Sequence, residues 1–172
     1  YRDVGEGTNL SIDMDEYDLF YDQLFIWQAK EKRIVGAYRL GKGNDILEQY
    51  GLKGFYVGSL FKIHDEAETI IDKAIELGRS FVIKEYQSTP LPLFLLWKGI
   101  LVYMMNNPGY RYLFGPVSIS NRYSSFSKEL IITFIRKNFY SNELAKYFEP
   151  RKKYVVKLSR ELSRRGSGKT IY

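Results

Sequence analysis

Two apolar runs with a charged turn between them constrain this chain more than any other feature. Leu24-Phe25-Ile26-Trp27 and Ile34-Val35-Gly36-Ala37-Tyr38-Arg39-Leu40 are rich in β-branched and aromatic residues, and Lys30-Glu31-Lys32-Arg33 separates them. Strand-forming runs this close in sequence pair as an antiparallel hairpin. A hairpin alone is marginal in water, so further strands and helices must cover it. The rest of the chain supplies them. Gly41-Lys42-Gly43-Asn44 ends the second strand, Ile46 to Tyr50 reads as a short helical turn, and Phe55 to Ile63 holds a short strand. With Asp65 as N-cap, Ile70, Ile71, Ala74, Ile75 and Leu77 fall at helical spacing and predict a helix that stops at Gly78. Arg79 to Tyr86 then reads as a central strand. Thr89-Pro90-Leu91-Pro92 opens a long apolar helix that runs to Asn106. Tyr110 to Phe114 is the next strand, closed by Gly115-Pro116. An amphipathic helix covers Ser124 to Tyr140 with Ile131, Ile132, Phe134 and Ile135 on one face, a shorter one covers Asn142 to Phe148, and Lys153 to Leu158 supplies a last strand. This order predicts an α/β (α+β) domain, a mixed central sheet flanked by helices, over residues 1–158, with a basic tail at 159–172.

Composition narrows the chemistry. At 172 residues and 45% hydrophobic, the chain is long enough for one self-sufficient core. Fifteen Tyr and 11 Phe suggest a deep core or a groove for apolar ligands. The absence of cysteine excludes disulfides, zinc-thiolate sites and thiol nucleophiles, and a single histidine, His64, excludes a multi-histidine metal site. The net charge of +6 is uneven, because Thr133 to Tyr172 carries eleven Lys/Arg against three Asp/Glu. Such a region could meet nucleic acid, an anionic membrane surface or an acidic carrier protein, and charge alone does not choose among them, although nucleic acid is not the expected partner. The chain starts at Tyr1 without a charged-then-apolar signal segment, and is expected to be an internal or processed piece of a cytoplasmic protein. Leu91 to Met105 contains Lys98 and is shorter than the ~20 apolar residues of a spanning helix, so it reads as buried or interfacial.

Four segments in fixed order carry a family resemblance: Asp15-Glu16-Tyr17-Asp18; Gly36-Ala37-Tyr38-Arg39-Leu40; Glu76-Leu77-Gly78-Arg79-Ser80-Phe81; and Leu96-Trp97-Lys98-Gly99 with Tyr112-Leu113-Phe114-Gly115. Together, over about residues 13 to 120, they resemble the hemolysin-like N-acyltransferases that make ornithine and glycine lipids, and more distantly the acyl-homoserine-lactone synthases. The resemblance implies a GNAT-like fold with no permanently bound cofactor, in which an acyl chain on phosphopantetheine threads along two splayed central strands. The family's N-terminal helix is expected upstream of Tyr1. Glu76 matches the carboxylate of the family's E-x-x-R motif and is the expected base for aminolysis of the thioester. Arg79, Arg39, Asp15 and Asp18 are the matched charged residues, expected either to bind the amino-acid substrate or to support the fold. Backbone N–H groups near Phe81 and Val82 are candidates for holding the oxyanion. Gln87-Ser88-Thr89 precede the apolar helix, whose N-terminal end would face the pantetheine phosphate. Because Gln87 to Pro92 departs from the Gln/Arg-x-x-Gly-x-Gly/Ala loop of many acetyltransferases, acyl carrier protein is favoured over acyl-CoA as donor.

Competing patterns fail on spacing. A glycerolipid acyltransferase needs His-x4-Asp, and Thr69 stands where His64 would require the aspartate. Arg164 to Thr170 lacks the first glycine of a phosphate loop, since Ser163 stands there. A lactone synthase would use S-adenosylmethionine as amine donor, whereas the Leu-Trp-Lys-Gly to Tyr-Leu-Phe-Gly portion favours the lipid enzymes. A non-catalytic basic binding module remains the alternative of another class. His64 is expected to be a surface or capping residue, and Trp27, Trp97 and the apolar helix are expected in the core, with one face of the helix walling an acyl tunnel.

Overall fold

The structure, a computed structural model, describes residues 14–120 and 122–152. The expected hairpin forms from β1 (Asp22–Gln28) and β2 (Arg33–Lys42), in register from Asp22↔Leu40 to Gln28↔Arg33 with a bulge at Ile26/Trp27. Then come α1 (Gly43–Tyr50), α2 (Val57–Leu60), β3 (Phe61–Ile63) and α3 (Glu68–Ile71). β4 (Ala74–Val82) leads to α4 (Leu91–Asn106), β5 (Tyr112–Phe114), α5 (Ser125–Phe139), α6 (Asn142–Ala145) and β6 (Phe148–Pro150). The main sheet has the order β1-β2-β4-β5, antiparallel except for the parallel β4–β5 pair, and β3 and β6 form a separate two-stranded ribbon.

The sheet is covered on both faces. Ile75 and Leu40 pack beneath Ile100 of α4, with Leu24, Tyr38 and Leu77 around them. On the other face Ile46 of α1, Val57 of α2 and Ile71 of α3 close over Tyr21 and Phe55. A central strand buried on two sides reads as a continuous apolar run, and this overturns one expectation. Asp65 to Leu77 is not one helix ended by Gly78: a 3-10 turn at Asp65–Ala67 and the single turn of α3 precede β4, which already runs from Ala74. Ala74, Ile75 and Leu77 fit a helical stripe and a buried strand equally, and sheet pairing decides for the strand. β4 accordingly ends at Val82, and Lys84–Tyr86 is a 3-10 turn rather than strand.

Other differences are smaller. His64, not Asp65, stands at the N-cap position, and its side chain makes no capping bond. The Asn142–Phe148 helix stops after one turn, because Phe148 to Pro150 pairs with β3. The strand expected at Lys153–Leu158 and the tail at 159–172 lie outside the described residues. Trp27 and Trp97, expected in the core, are 53% and 47% exposed. Trp27 follows the β1 bulge on the outermost strand, and α4 turns only Pro92, Leu96 and Ile100 fully inward.

Candidate active site

The carboxylates of Asp15 and Asp18 converge because Asp15-Glu16-Tyr17-Asp18 folds as a reciprocal cap. Asp15 Oδ1 accepts from Tyr17 N at 3.1 Å and Asp18 Oδ2 accepts from Asp15 N at 2.9 Å, around the 3-10 turn Glu16–Leu19. In a 3-10 turn residues three apart eclipse, so both side chains face the same way. They face Arg39 of β2, whose Nη1 donates to Asp15 Oδ1 at 2.6 Å and to Asp18 Oδ1 at 3.0 Å. Arg79 of β4 completes the group, with Nε 3.6 Å from Asp15 Oδ2 and Nη1 3.5 Å from Asp18 Oδ2. Two arginines and two aspartates thus neutralise one another, as burial requires. The structure brings together the four matched charged residues.

Arg39 is 1% exposed, its guanidinium lies 5.1 to 5.9 Å from the ring centres of Tyr21, Tyr17 and Tyr56, and its Nε has no hydrogen-bond partner among the described residues. Burial alone would lower its pKa, but the hydrogen bond and charge of Asp18 and Asp15 outweigh this and raise it. For Asp18, burial pushes upward, and the Asp15 backbone N–H with Arg39 and Arg79 pulls harder, leaving its pKa below the usual carboxylate range.

Glu76 lies elsewhere than expected. It sits mid-strand, opposite Gly41 of β2, on the face away from α4, and is 1% exposed. Its Oε1 accepts from Val57 N at 2.6 Å, and its Oε2 from Tyr56 N at 3.0 Å and from the Tyr21 hydroxyl. Tyr21 reaches it by lying flat across Gly41, where an added Cβ would come 2.3 Å from the ring. Burial raises the Glu76 pKa against the downward pull of these bonds. The expected helix-to-strand junction is therefore corrected to a strand interior tied to the α2 turn.

A cleft of about 250 Å³ opens between β4 and β5. The two strands pair only from Ala74↔Tyr112 to Glu76↔Phe114. Gly115 then passes so near β4 that a Cβ would lie 2.2 Å from the Leu77 carbonyl oxygen, and its φ of +159° marks where the chains part. Leu77, Gly78, Arg79 and Ser80 form one wall, Leu113 to Val117 the other, and Tyr38 and Trp97 close the α4 side. β4 carries a bulge here: Gly78 pairs with Arg39 and Phe81 with Ala37, so two residues, Arg79 and Ser80, stand opposite Tyr38 alone. Arg79 takes a φ of +46°, a left-handed conformation costly for a residue with a Cβ. Bulges re-aim side chains beside active sites. This one sets Arg79 in the wall of the cleft and against Asp15 and Asp18 at once.

Residues 1–97 match the family described as Acetyltransferase (GNAT) domain. The chain belongs to this GNAT family. The mixed sheet, with a parallel β4–β5 pair that parts after three residue pairs, is the fold of this GNAT domain. Among curated proteins it is 34% identical, over 83% of its length, to a glycine N(alpha)-acyltransferase of Bacteroides thetaiotaomicron, and 30% identical, over 81%, to one of Phocaeicola vulgatus. It spans 46% of the length of each.

The remaining expected residues fall around the cleft rather than in it. Phe81 and Val82 pair with Ala37 and Gly36 of β2, and Ser80 of the bulge is the polar strand residue that lines the opening. Gln87 turns back to donate to the Val82 carbonyl at 2.7 Å, and Ser88 and Thr89 are exposed just before α4. The break at Gly115-Pro116 is legible in the sequence, but the bulge is not. An Arg after Gly within a strand carries no distinctive pattern, whereas Gly115-Pro116 after a strand does signal a break.

Proposed function

We propose that this GNAT domain transfers a (3-hydroxy) fatty acyl group from the phosphopantetheine thioester of acyl carrier protein to the amine of an amino acid, glycine foremost, to give an N-acyl amino lipid. The observation that carries this reading is the cleft between the parted β4 and β5, which has an apolar wall of Leu113, Phe114 and Trp97 and a charged edge at Arg79. A thioester carbonyl at the bulge would have its acyl chain on the apolar side and the incoming amine on the Asp–Arg side. The amine nitrogen attacks the carbonyl carbon, the C–S bond breaks, and the pantetheine thiol leaves with a proton.

Each residue has a part in this reading. Arg79, and the Nε of Arg39 beside the side-chain-free face of Gly78, are the cationic groups for the substrate carboxylate, and Asp15 and Asp18 hold both arginines in place. Phe81 and Val82 keep the strand aligned on β2, leaving Ser80 nearest the reacting carbonyl. Glu76 acts as a positioning residue through Tyr21 and the Tyr56–Val57 turn. Gln87, Ser88 and Thr89, at the entrance to α4, lie on the side from which a pantetheine arm would arrive. The names of the relatives support glycine as acceptor, and the missing Gly-rich loop with the basic C-terminal region supports an acidic carrier over CoA. A peripheral position on the inner face of the cytoplasmic membrane fits a lipid product. No helix among the described residues is long and apolar enough to cross a membrane.

The test is mass spectrometry of reactions with the full-length protein, 3-hydroxyacyl carrier protein or acyl-CoA, and glycine, ornithine or S-adenosylmethionine. N-acylglycine from the carrier-bound donor is expected. Homoserine lactone from S-adenosylmethionine would instead make it a signal synthase, and no product with any pair would leave a binding module. Arg79→Ala is expected to raise KM for the amino acid about 10- to 100-fold, the scale of one lost charge-assisted hydrogen bond, with KM for the donor unchanged.

A further inference from the structure

The outer face of α4 is apolar and open to solvent. Phe94, Leu101 and Met105 are 63%, 59% and 70% exposed and lie along the side opposite Leu96 and Ile100, with Leu91 and Leu93 exposed at the start of the helix. Lone exposed apolar side chains are ordinary, but a helix that shows apolar residues over most of its turns requires a covering partner. This part of the chain is net positive, while on the inner side of α4 the Tyr103 hydroxyl donates to Asp22. Between Tyr86 and Asn142 the chain has six basic residues and one acidic residue, Glu129, which is 7% exposed. Lys98 lies within the apolar face itself, where a long stem lets an ammonium reach outward past apolar neighbours.

We propose that this face of α4 docks in the plane of an anionic lipid surface, with Phe94, Leu101 and Met105 entering the acyl boundary and Lys98 meeting the headgroups. Charge and composition argue against the chain's own ends and against a second copy as occupants. Residues 153–172 carry six Lys/Arg against one Asp/Glu and would repel a cationic surface, and residues 1–13 have few apolar side chains to cover it. A second copy placed face to face would set the Lys98-bearing face against another of the same charge. An interfacial helix pairs Phe, Trp and Leu on one side with Lys or Arg toward the headgroups, and anionic lipid strengthens its binding. Trp97 belongs to both α4 and the cleft, so a docked α4 brings the cleft beside the bilayer surface. The proposal stands whether or not the acyl-transfer reading holds.

The experiment is co-sedimentation of the full-length protein with vesicles of phosphatidylcholine alone or with one-quarter phosphatidylglycerol, at low salt and at 0.5 M salt. Wild type is expected to bind the anionic vesicles, less so at high salt, and the Phe94→Asp/Leu101→Asp variant to bind at least about tenfold more weakly. Circular dichroism and the melting temperature of the variant are expected to match wild type, since both side chains are exposed. Wild-type protein that ignores anionic vesicles, or a variant that binds them equally, overturns the proposal. So does a wild-type dimer that the variant abolishes without any vesicle binding, or loss of carrier-protein binding alone.

Discussion

The Asp–Arg group on one face of the sheet and α4 on the other invert the usual rule in opposite directions. At the first, Arg39 is a charge taken almost wholly out of water, and at the second, Phe94 and Met105 are apolar groups left in it. The two arrangements are held by different forces. Arg39 is tolerated because Asp15, Asp18 and three tyrosine rings surround it, so its place is fixed by the fold itself. Among the described residues, nothing covers the outer face of α4. Buried charge therefore marks where this molecule has spent its own packing, and exposed apolar surface marks where something else completes it.

The contrast is broken most directly at Arg39. Arg39→Met removes the cation and leaves two carboxylates to share Arg79, which is 3.5 to 3.6 Å from each. A loss of about 3–5 kcal/mol in urea unfolding is expected, the cost of an uncompensated buried charge. A neutral result would show that the aspartates turn to solvent and that the group is surface-like. On α4, Leu96→Ala truncates a side chain that is 1% exposed, and a loss of about 2–5 kcal/mol is expected on the same assay. Glu76→Gln follows at about 1–3 kcal/mol, because an amide NH2 replaces one acceptor facing Tyr21, Tyr56 or Val57. This variant also decides between positioning and base chemistry. A lowered melting temperature with kcat changed less than about tenfold supports positioning, whereas a hundredfold fall in kcat at unchanged stability restores Glu76 as the base.

Much of this was legible in the residues, for definite reasons. The β1–β2 hairpin, α4, β5 and α5 followed from strong runs and from Pro and Gly punctuation. The grouping of Asp15, Asp18, Arg39 and Arg79 followed from resemblance and has a local cause, the reciprocal cap of Asp15-Glu16-Tyr17-Asp18. What escaped is what only pairing decides. Ile75 to Leu77 is helix-like or strand-like until β2 and β5 flank it, so the residues alone place Glu76 at a junction instead of a strand interior. The bulge at Arg79 depends on one extra residue in β4 relative to β2, which no property of β4 alone reveals. The exposure of Trp97 depends on which stripe of a nearly all-apolar helix faces inward, and such a helix has little periodicity to read.

The charged group also has a signature in acid. The Asp18 carboxyl has a folded pKa below its ordinary value of 3.8, so the folded state favours the ionised form. Its contribution is fully present above the unfolded pKa and is lost as pH falls through the folded one. Glu76 has the opposite sign. Its folded pKa lies above 4.5, so its contribution is complete below that value and is lost as pH rises through the folded pKa. Asp18→Asn is therefore expected to flatten the fall of stability below about pH 4, and Glu76→Gln to flatten the change above about pH 4.5, in urea titrations across pH. If both variants kept the wild-type slope, neither carboxyl would be the group that titrates.

The smallest effect is expected where the apolar surface is largest. Phe94→Ser removes a ring that is 63% exposed, so little buried area is lost and the isolated protein should change by no more than about 0.5 kcal/mol. Two turns of helix carry both extremes, since Leu96 beside it is among the most buried residues of the chain. If Phe94→Ser instead cost as much as Leu96→Ala in dilute solution, the outer face of α4 would already be covered by the protein itself. The contrast between the two faces of the sheet would then be one of polarity alone, because both would be interior. If the cost is small in buffer but the variant loses the stabilisation that anionic vesicles give wild type, α4 owes its composition to a surface met only on binding. The measurement that separates these cases is the melting temperature with and without vesicles, because a ligand that binds only the folded state raises it in proportion to the affinity that Phe94 supplies.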